Sequence, residues 1–250
     1  MIASPRWLSP VERVEITIYQ AILFDLDDTL FSLRGCEAQA LQRTLDGVGL
    51  MSALPADFTD RYAAISSGYW AARSSDGTAQ YTRNEILELS WRDFLSQQDL
   101  EAGRSTELAG MYWTKFCRSS ALNPGAEEVL RRLSESYRLG MITNGYSDSQ
   151  RGRLQAAGLL DVFNPLLVSE EAGVEKPDAR IFEMALTKLG LPSEAVLYVG
   201  DSISHDREGC RRAGIDFCHY CPDRQGSNLP SVKYRIGHLR ELIPLLLSDA

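Results

Sequence analysis

The sequence predicts an α/β fold: a parallel sheet flanked by helices, with an all-helical insertion after the first strand. Three observations lead to it. Apolar runs, AILF before Asp25, RLGMIT ending at Thr143, PLLV ending at Val168 and AVLYV ending at Val199, are separated by helical segments, the alternation that produces parallel sheets. The runs are apolar almost throughout rather than at every second position, as in strands buried on both faces. Between the first and second runs, roughly residues 34 to 118, only helical periodicities occur.

Each element has local support. The first 18 or so residues precede the first strand, and VEITIY leaves three outcomes open: prolonging that strand, adding an edge strand, or staying loose. In the insertion, Ala38, Leu41, Leu45 and Val48 share one helix face, and Phe58, Tyr62, Ile65 and Tyr69 share another. Thr82 with Glu85 spells a capping box for a third helix carrying Ile86, Leu89 and Phe94. NPGAEEVLRRL, from Asn123, returns the chain to the core by a turn and a helix. Ser147 opens a helix with Gln150 placed as in a capping box, and Gly158 closes it. Asp178 opens another, with Ile181, Phe182, Ala185 and Leu189 on one face and Gly190 as the stop. A weaker strand spans Asp216 to Tyr220. The expected organisation is a Rossmann-like core of residues 1–33 plus 119–250, with the helical insertion at 34–118.

Composition narrows the functional classes. A chain of 250 residues, 44% apolar and 24% charged, suits a globular enzyme with one large domain or a core plus a smaller insertion. No run approaches the roughly 18 apolar residues of a membrane span, so no membrane partner is expected. The N-terminal stretch has no continuous apolar segment before Glu12, Arg13 and Glu15, so a secretory signal is not expected and the cytoplasm is. A formal net charge of −8 argues against a nucleic-acid polymer as partner, because that binding relies on cationic side chains. A small anionic substrate stays compatible, since a local lysine and a metal override the global field. Five scattered cysteines fit reduced thiols better than a disulfide framework. Cys218 and Cys221 form a CxxC around His219, but no second ligand pair lies nearby, so a strand end with incidental thiols is favoured over a zinc or redox centre.

Four motifs then stand at or soon after strand ends: DLDDTLF with Asp25 and Asp27, ITNG with Thr143 and Asn144, VEKPD with Lys176, and YVGDSISHD with Asp201 and Asp206. A parallel sheet gathers such positions along one edge, where open α/β sheets bind ligands. Like charges about 4 Å apart repel by roughly 4 kcal/mol at an effective dielectric near 20, so this cluster of carboxylates calls for a cation, and Mg²⁺ suits hard oxygen donors. A carboxylate pair such as Asp25 and Asp27 can divide phosphoryl transfer between a nucleophile and an acid/base, although DxDxT alone also reads as a solvated turn with Asp28 and Thr29 as a helix cap. Thr143, Asn144 and Gly145 offer a hydroxyl and backbone amides to phosphate oxygens, or simply a turn. Lys176 is either a cation offsetting phosphoryl charge or one half of a solvated ion pair among Glu170, Glu171 and Glu175. Gly200 would let the backbone turn so that Asp201 points into the crevice.

Taken together, DLDDTLF, ITNG, KPD and GDSISHD with the following AGI resemble the haloacid dehalogenase superfamily from about Ala21 to the C-terminus. The resemblance implies that Asp25 is the nucleophile and Asp27 the general acid/base. It implies that Thr143, Lys176 and the Asn144 backbone hold the transferring phosphoryl group. Mg²⁺ would be bound by Asp25, the Asp27 carbonyl and Asp201, with Asp206 orienting metal-bound water or Lys176. The insertion would be a small cap. Asp27 favours an oxygen leaving group over halide, and DLDDT differs from the DxDG common in mutases. Retention of Asp25, Asp27, Lys176 and Asp201 together disfavours a catalytically dead binding protein. The implied activity is Mg²⁺-dependent hydrolysis of a small-molecule phosphate ester by a monomer or homodimer. The segment from ITNG to KPDARIF is similar to the branch of pyrimidine nucleoside 5'-monophosphate and N-acylneuraminate-9-phosphate phosphatases, and sugar-phosphate or phosphoglycolate-type substrates are the alternative. For a nucleotide, Trp70 in the insertion is the stacking candidate with Arg73 close by, whereas Tyr62 and Tyr69 read as packing residues.

Overall fold

β1 (Ala21–Phe24) is buried along its whole length and forms the centre of the sheet. The structure, a computed structural model, describes residues 19–74, 81–222 and 231–247, without the side chains of 73 and 74. Most of VEITIY and the Arg73 side chain lie outside the described residues. After β1 come four helices, α1 (Leu33–Gly47), α2 (Phe58–Ser74), α3 (Arg83–Gln97) and α4 (Ser105–Phe116). α5 (Ala126–Leu133) leads to β2 (Arg138–Thr143), followed by α6 (Ser147–Ala156), β3 (Leu166–Val168), α7 (Ser169–Ala172) and α8 (Ala179–Leu189). β4 (Val196–Gly200) runs into a π-helical turn, Ile203–Arg207, and α9 (Glu208–Ala213). β5 (Asp216–Tyr220), β6 (Tyr234–Ile236) and α10 (Leu242–Leu247) complete the described chain.

The six strands are all parallel, in the order β3-β2-β1-β4-β5-β6. From β1 the chain moves outward through β2 and β3, then recrosses to β4, β5 and β6 on the other side. That reversal makes the carboxyl end of β1 a topological switch point, where a crevice opens. Alternate residues feed two cores, as the two-residue period of a strand requires. Ile22, Phe24, Met141, Leu197 and Val199 pack on one face, which runs through Leu26, Leu30 and Phe31 into the helical insertion. Leu23, Ile142, Val196 and Tyr198 pack on the other, against Ile181, Phe182 and Ala185 of α8 and Cys210 of α9.

The insertion has an aromatic centre. Tyr62, Trp91, Phe94 and Tyr112 are buried, with ring centroids 5.3 Å apart for Tyr62 with Trp91 and for Tyr62 with Tyr112. The Thr82–Glu85 capping box forms. The buried face of α1 centres on Cys36, Ala40, Leu41 and Leu45 rather than on Ala38, and on α3 it is Leu87, not Leu89, that is buried. The chain enters and leaves the insertion through adjacent segments: Ser32 N–H donates to Ala121 C=O at 2.8 Å and Asn123 N–H to Leu30 C=O at 2.8 Å.

Two expectations about local structure need correction. Ser147 and Gln150 do not form a capping box. The Ser147 N–H donates to Glu170 at 2.8 Å and its hydroxyl to Glu171, which frees Gln150 to turn inward. Gly200 has no left-handed backbone. Its missing side chain instead makes room for Asp206, into whose carboxylate a Cβ would run.

Candidate active site

Asp25 continues β1 into the crevice, its N–H donating to Val199 C=O at 2.9 Å. It is buried, and so are Lys176, which follows α7, and Asp206, on the π-helical turn. Lys176 Nζ donates to Asp25 Oδ1 at 2.5 Å, Asp206 Oδ1 at 2.7 Å and the Tyr198 hydroxyl at 3.0 Å. A buried ammonium without such partners would be strongly destabilising. Here burial pushes the Lys176 pKa down, but the facing carboxylates of Asp206 and Asp25 outweigh it and hold it above the ordinary lysine value.

Asp201, one residue beyond β4, completes an acidic group in which carboxylate oxygens of Asp25, Asp201 and Asp206 all lie within 4.8 Å of one another. Burial, reinforced by Asp206 and Asp28, raises Asp201 to about 6. Burial also raises Asp25 well above the usual carboxylate range, against the pull of Lys176. Three carboxylates facing one ammonium leave the group short of positive charge, and their hard, convergent oxygens fit a small divalent cation. Asp206 is otherwise engaged: Oδ1 faces Lys176 and Tyr198, and Oδ2 accepts from Ser202 N–H at 3.0 Å. It is therefore placed to orient Lys176.

Thr143 lies at the carboxyl end of β2. It is buried, and its hydroxyl has no hydrogen-bond partner. An orphaned buried hydroxyl costs about 1–3 kcal/mol and asks for an explanation; a ligand oxygen supplies one. Asn144 does something the sequence did not suggest. Its side chain brackets the Lys176 backbone, donating to Lys176 C=O at 3.0 Å and accepting from Lys176 N–H at 2.9 Å. The Gly145 N–H, expected to face phosphate, donates to Ser169 Oγ at 3.0 Å.

Asp27 turns to a separate neighbourhood, meeting Arg153 and Gln150 of α6. Asp28 takes the bland role, accepting from Leu33 N–H at 3.1 Å at the start of α1. Thr29 instead reaches Asp201 Oδ1 at 3.3 Å. Cys218 of the CxxC is buried in β5. Burial raises Cys218 to about 12, and among the described residues no acidic or metal-ligating group includes the thiols. His219 between them is useful, because its Nε2 donates to the Asp201 backbone carbonyl at 3.0 Å.

The insertion rests on the loop after Thr143. The Arg83 guanidinium carbon sits 4.6 Å from the Trp113 ring centroid and 4.8 Å from that of Tyr146, while Nη1 meets Asp148 at 3.1 Å. Trp113 Nε1 donates to the same carboxylate at 2.8 Å. Trp70 approaches Tyr146 at 6.4 Å between centroids. Tyr62 is buried packing, as expected, and Tyr69 is partly buried, hydrogen-bonded to Asp93.

Sequence reasoning missed Gln150, Arg153, Tyr198, Thr29 and His219. One signal was available for two of them. α6, SDSQRGRLQA, buries Ser149, Gln150, Arg153 and Leu154, so a helix with a single large apolar residue had to turn polar side chains inward.

The haloacid dehalogenase-like hydrolase family model matches residues 19–214. The chain belongs to that family. Among relatives of this haloacid dehalogenase-like hydrolase, YfnB of Bacillus subtilis is 30% identical over 232 residues, covering 91% of this chain and 95% of that protein. The crystal structure of YfnB bound to magnesium superposes with a TM-score of 0.77 at 29% identity, covering 92% of this chain and 99% of that one. The pyrimidine 5'-nucleotidase YjjG of Escherichia coli is 34% identical over 199 residues, 79% of this chain and 84% of that protein. The pyrimidine 5'-nucleotidase PynA of Streptococcus pneumoniae is 31% identical over 208 residues, 82% and 84% respectively. Among the described residues of this hydrolase, no helix is long and apolar enough to cross a membrane.

Proposed function

We propose that this enzyme hydrolyses small-molecule phosphate monoesters through an aspartyl phosphate on Asp25. The carrying observation is the buried group of Asp25, Lys176, Asp201 and Asp206 at the switch point of the sheet, next to the unpartnered Thr143 hydroxyl. A carboxylate oxygen of Asp25 bonds to phosphorus as the ester P–O bond breaks, and Asp27 delivers a proton to the departing oxygen. Asp27 then takes a proton from water, whose oxygen attacks phosphorus, releasing phosphate and restoring Asp25. Thr143 and Lys176 hold the non-bridging oxygens, and Asn144 fixes the Lys176 backbone. Asp25, Asp201 and the Asp27 carbonyl would hold Mg²⁺, with Asp206 bracing Lys176. When bound, the cation offsets charge on the phosphoryl group. Residues 34–118 act as a cap that excludes water during attack.

The favoured substrate class is nucleoside 5'-monophosphates. The likeness to YjjG and PynA supports this, and so does Trp70, which stands beside Tyr146, three residues beyond Thr143. The second reading is a sugar phosphate or a phosphoglycolate-type ester. It is favoured by the packing of Trp70 against the cap core. A phosphate-ester panel with Mg²⁺ separates the readings. Asp25→Asn should abolish turnover with an unchanged circular dichroism spectrum, and retained turnover, with deamidation excluded, would sink the nucleophile. Trp70→Ala should raise KM for nucleoside monophosphates while sparing phosphoglycolate. Equal effects on both would make Trp70 a packing residue and remove the cap's support for a nucleotide.

A further inference from the structure

Arg153 is 1% exposed yet carries a full charge, and it presents that charge to Asp27 in a two-pronged contact. Nη1 meets Oδ1 at 2.5 Å and Nη2 meets Oδ2 at 3.0 Å. Gln150 Nε2 adds a third bond to Oδ2 at 3.1 Å, and its Oε1 accepts from Arg153. Gln150 is itself tied to Asn144 C=O at 2.8 Å. The guanidinium is walled by the Phe116 ring at 4.8 Å and the Phe31 ring at 5.9 Å, and Nε reaches Ser149 C=O at 3.3 Å. Gly145, with φ of +145°, is what lets Gln150 approach, since a Cβ there would run into its amide.

This is an expensive arrangement for stability alone. Burying a guanidinium carries a desolvation penalty, and apolar replacements of buried ion pairs are often as stable. Its distinctive product is geometric. A fork-to-fork contact fixes the plane of the carboxylate, which a single bond does not. An ionised carboxylate offers about four lone-pair sites. Arg153 takes one on each oxygen and Gln150 takes the second on Oδ2, so one site on Oδ1 is left. That position must hold the proton given to the departing oxygen and receive the one later taken from water.

We infer that Arg153, assisted by Gln150, is the positioning residue that fixes the Asp27 carboxylate so that the remaining Oδ1 site faces the ester oxygen. The inference rests on Asp27 being the general acid/base, as proposed above. Arg153 touches no substrate. It acts through Asp27, and its phenyl walls come from the last residue of α4 and the segment just before α1, so Asp27 is oriented by the same pair of chain crossings that carries the cap.

The test compares the burst of enzyme phosphorylation on an alkyl phosphate and on p-nitrophenyl phosphate. The proteins are wild type, Asp27→Asn, Arg153→Met, Arg153→Lys, Gln150→Met and the Asp27→Asn/Arg153→Met double variant. A misoriented acid matters only for a poor leaving group. Arg153→Met is expected to lose about 10²-fold on the alkyl ester, the lower end of general acid effects, and less than about threefold on the aryl ester, with KM little changed. Lysine should restore part of the loss. In the Asp27→Asn background Arg153→Met should add less than about twofold, because positions acting through one group are not additive. Equal losses on both esters, or a full additional loss in the double variant, overturn the role of Arg153. If Asp27→Asn itself shows no leaving-group selectivity, the acid assignment falls and this inference with it. Should Arg153→Met fail to fold, Gln150→Met removes one of the three bonds to Asp27, together with the ties to Asn144 C=O and Arg153, and must show the same selectivity on a smaller scale. An unselective Gln150→Met overturns the proposal.

Discussion

Replacing Lys176 by methionine keeps much of the side-chain volume and removes the only cation facing Asp25 and Asp206 among the described residues. Its Nζ lies 2.5 Å from one carboxylate and 2.7 Å from the other, and all three groups are buried. Breaking a buried ion pair on one side leaves uncompensated charge, at a cost of about 3–5 kcal/mol. For a chain of this size each kcal/mol corresponds to roughly 2–4 °C, so Lys176→Met in chelator should melt roughly 6–20 °C below wild type. Two controls give the reasoning its edge. Asp206→Asn in the Lys176→Met background removes one of the two stranded charges and keeps an oxygen for the Ser202 N–H, so it should recover a large part of the loss. Millimolar Mg²⁺ should also recover some, because a cation in the crevice supplies the missing charge. The assay is thermal unfolding by circular dichroism with chelator and with Mg²⁺. A Lys176→Met protein within about 1 kcal/mol of wild type in chelator would refute the electrostatic account of this cluster, because its removal would then leave no buried charge unpaired.

Three further outcomes are expected. Thr143→Val replaces an unpartnered hydroxyl with a methyl group, so the variant should be about 1 kcal/mol more stable by urea unfolding while kcat/KM falls about tenfold or more; lower stability would mean that the hydroxyl has a partner. Glu37, partly buried on α1, is raised by burial first and then by Asp27 and Asp28, against Arg34 and Arg153, from 4.5 to about 7. Its folded pKa lies above its unfolded one, so its contribution is fully present below about pH 4.5 and lost as pH rises through about 7. Glu37→Gln should therefore match wild type near the acid end and exceed it at pH 8.5 by at most about 3 kcal/mol, the figure for the full shift at 1.36 kcal/mol per unit, and a pH-independent difference would refute this. His219→Phe removes the donor to the Asp201 carbonyl, so Mg²⁺ affinity by calorimetry should weaken about tenfold with kcat at saturating metal little changed; unchanged affinity would make His219 mere packing.

The strands AILF, RLGMIT and AVLYV were legible because a central parallel strand is apolar on both faces. β6 was not: it has three residues, one of them the exposed Arg235, and offers no apolar run. Asp25, Thr143 and Asp201 were legible because they stand at strand ends, which the topology gathers, and Lys176 and Asp206 because their motifs lie a short way beyond β3 and β4. Arg153 and Gln150 were hidden for the opposite reason. Polar residues on a helix look solvated in sequence, and only the position of α6 against Asp27 turns them inward. The Gly145 N–H was assigned to phosphate because a turn exposes amides, whereas here Ser169 claims it; the bracket on the Lys176 backbone comes from the Asn144 side chain and leaves the Asn144 backbone N–H out of it.

The paired crossings at Phe31 with Leu122 and at Ser32 with Ala121 give the helical insertion two ends that meet at one point on the core. An insertion whose ends coincide leaves the host chain path intact when it is lengthened, shortened or exchanged. Descendants of such a chain can trade one helical insertion for another without re-solving the packing of the sheet. Arg153 is the restraint on that freedom. Because it packs on Phe31 and Phe116 at the junction, a newcomer has to bring a compatible last residue, and lineages that lose that phenyl ring should be those in which Arg153 has changed as well.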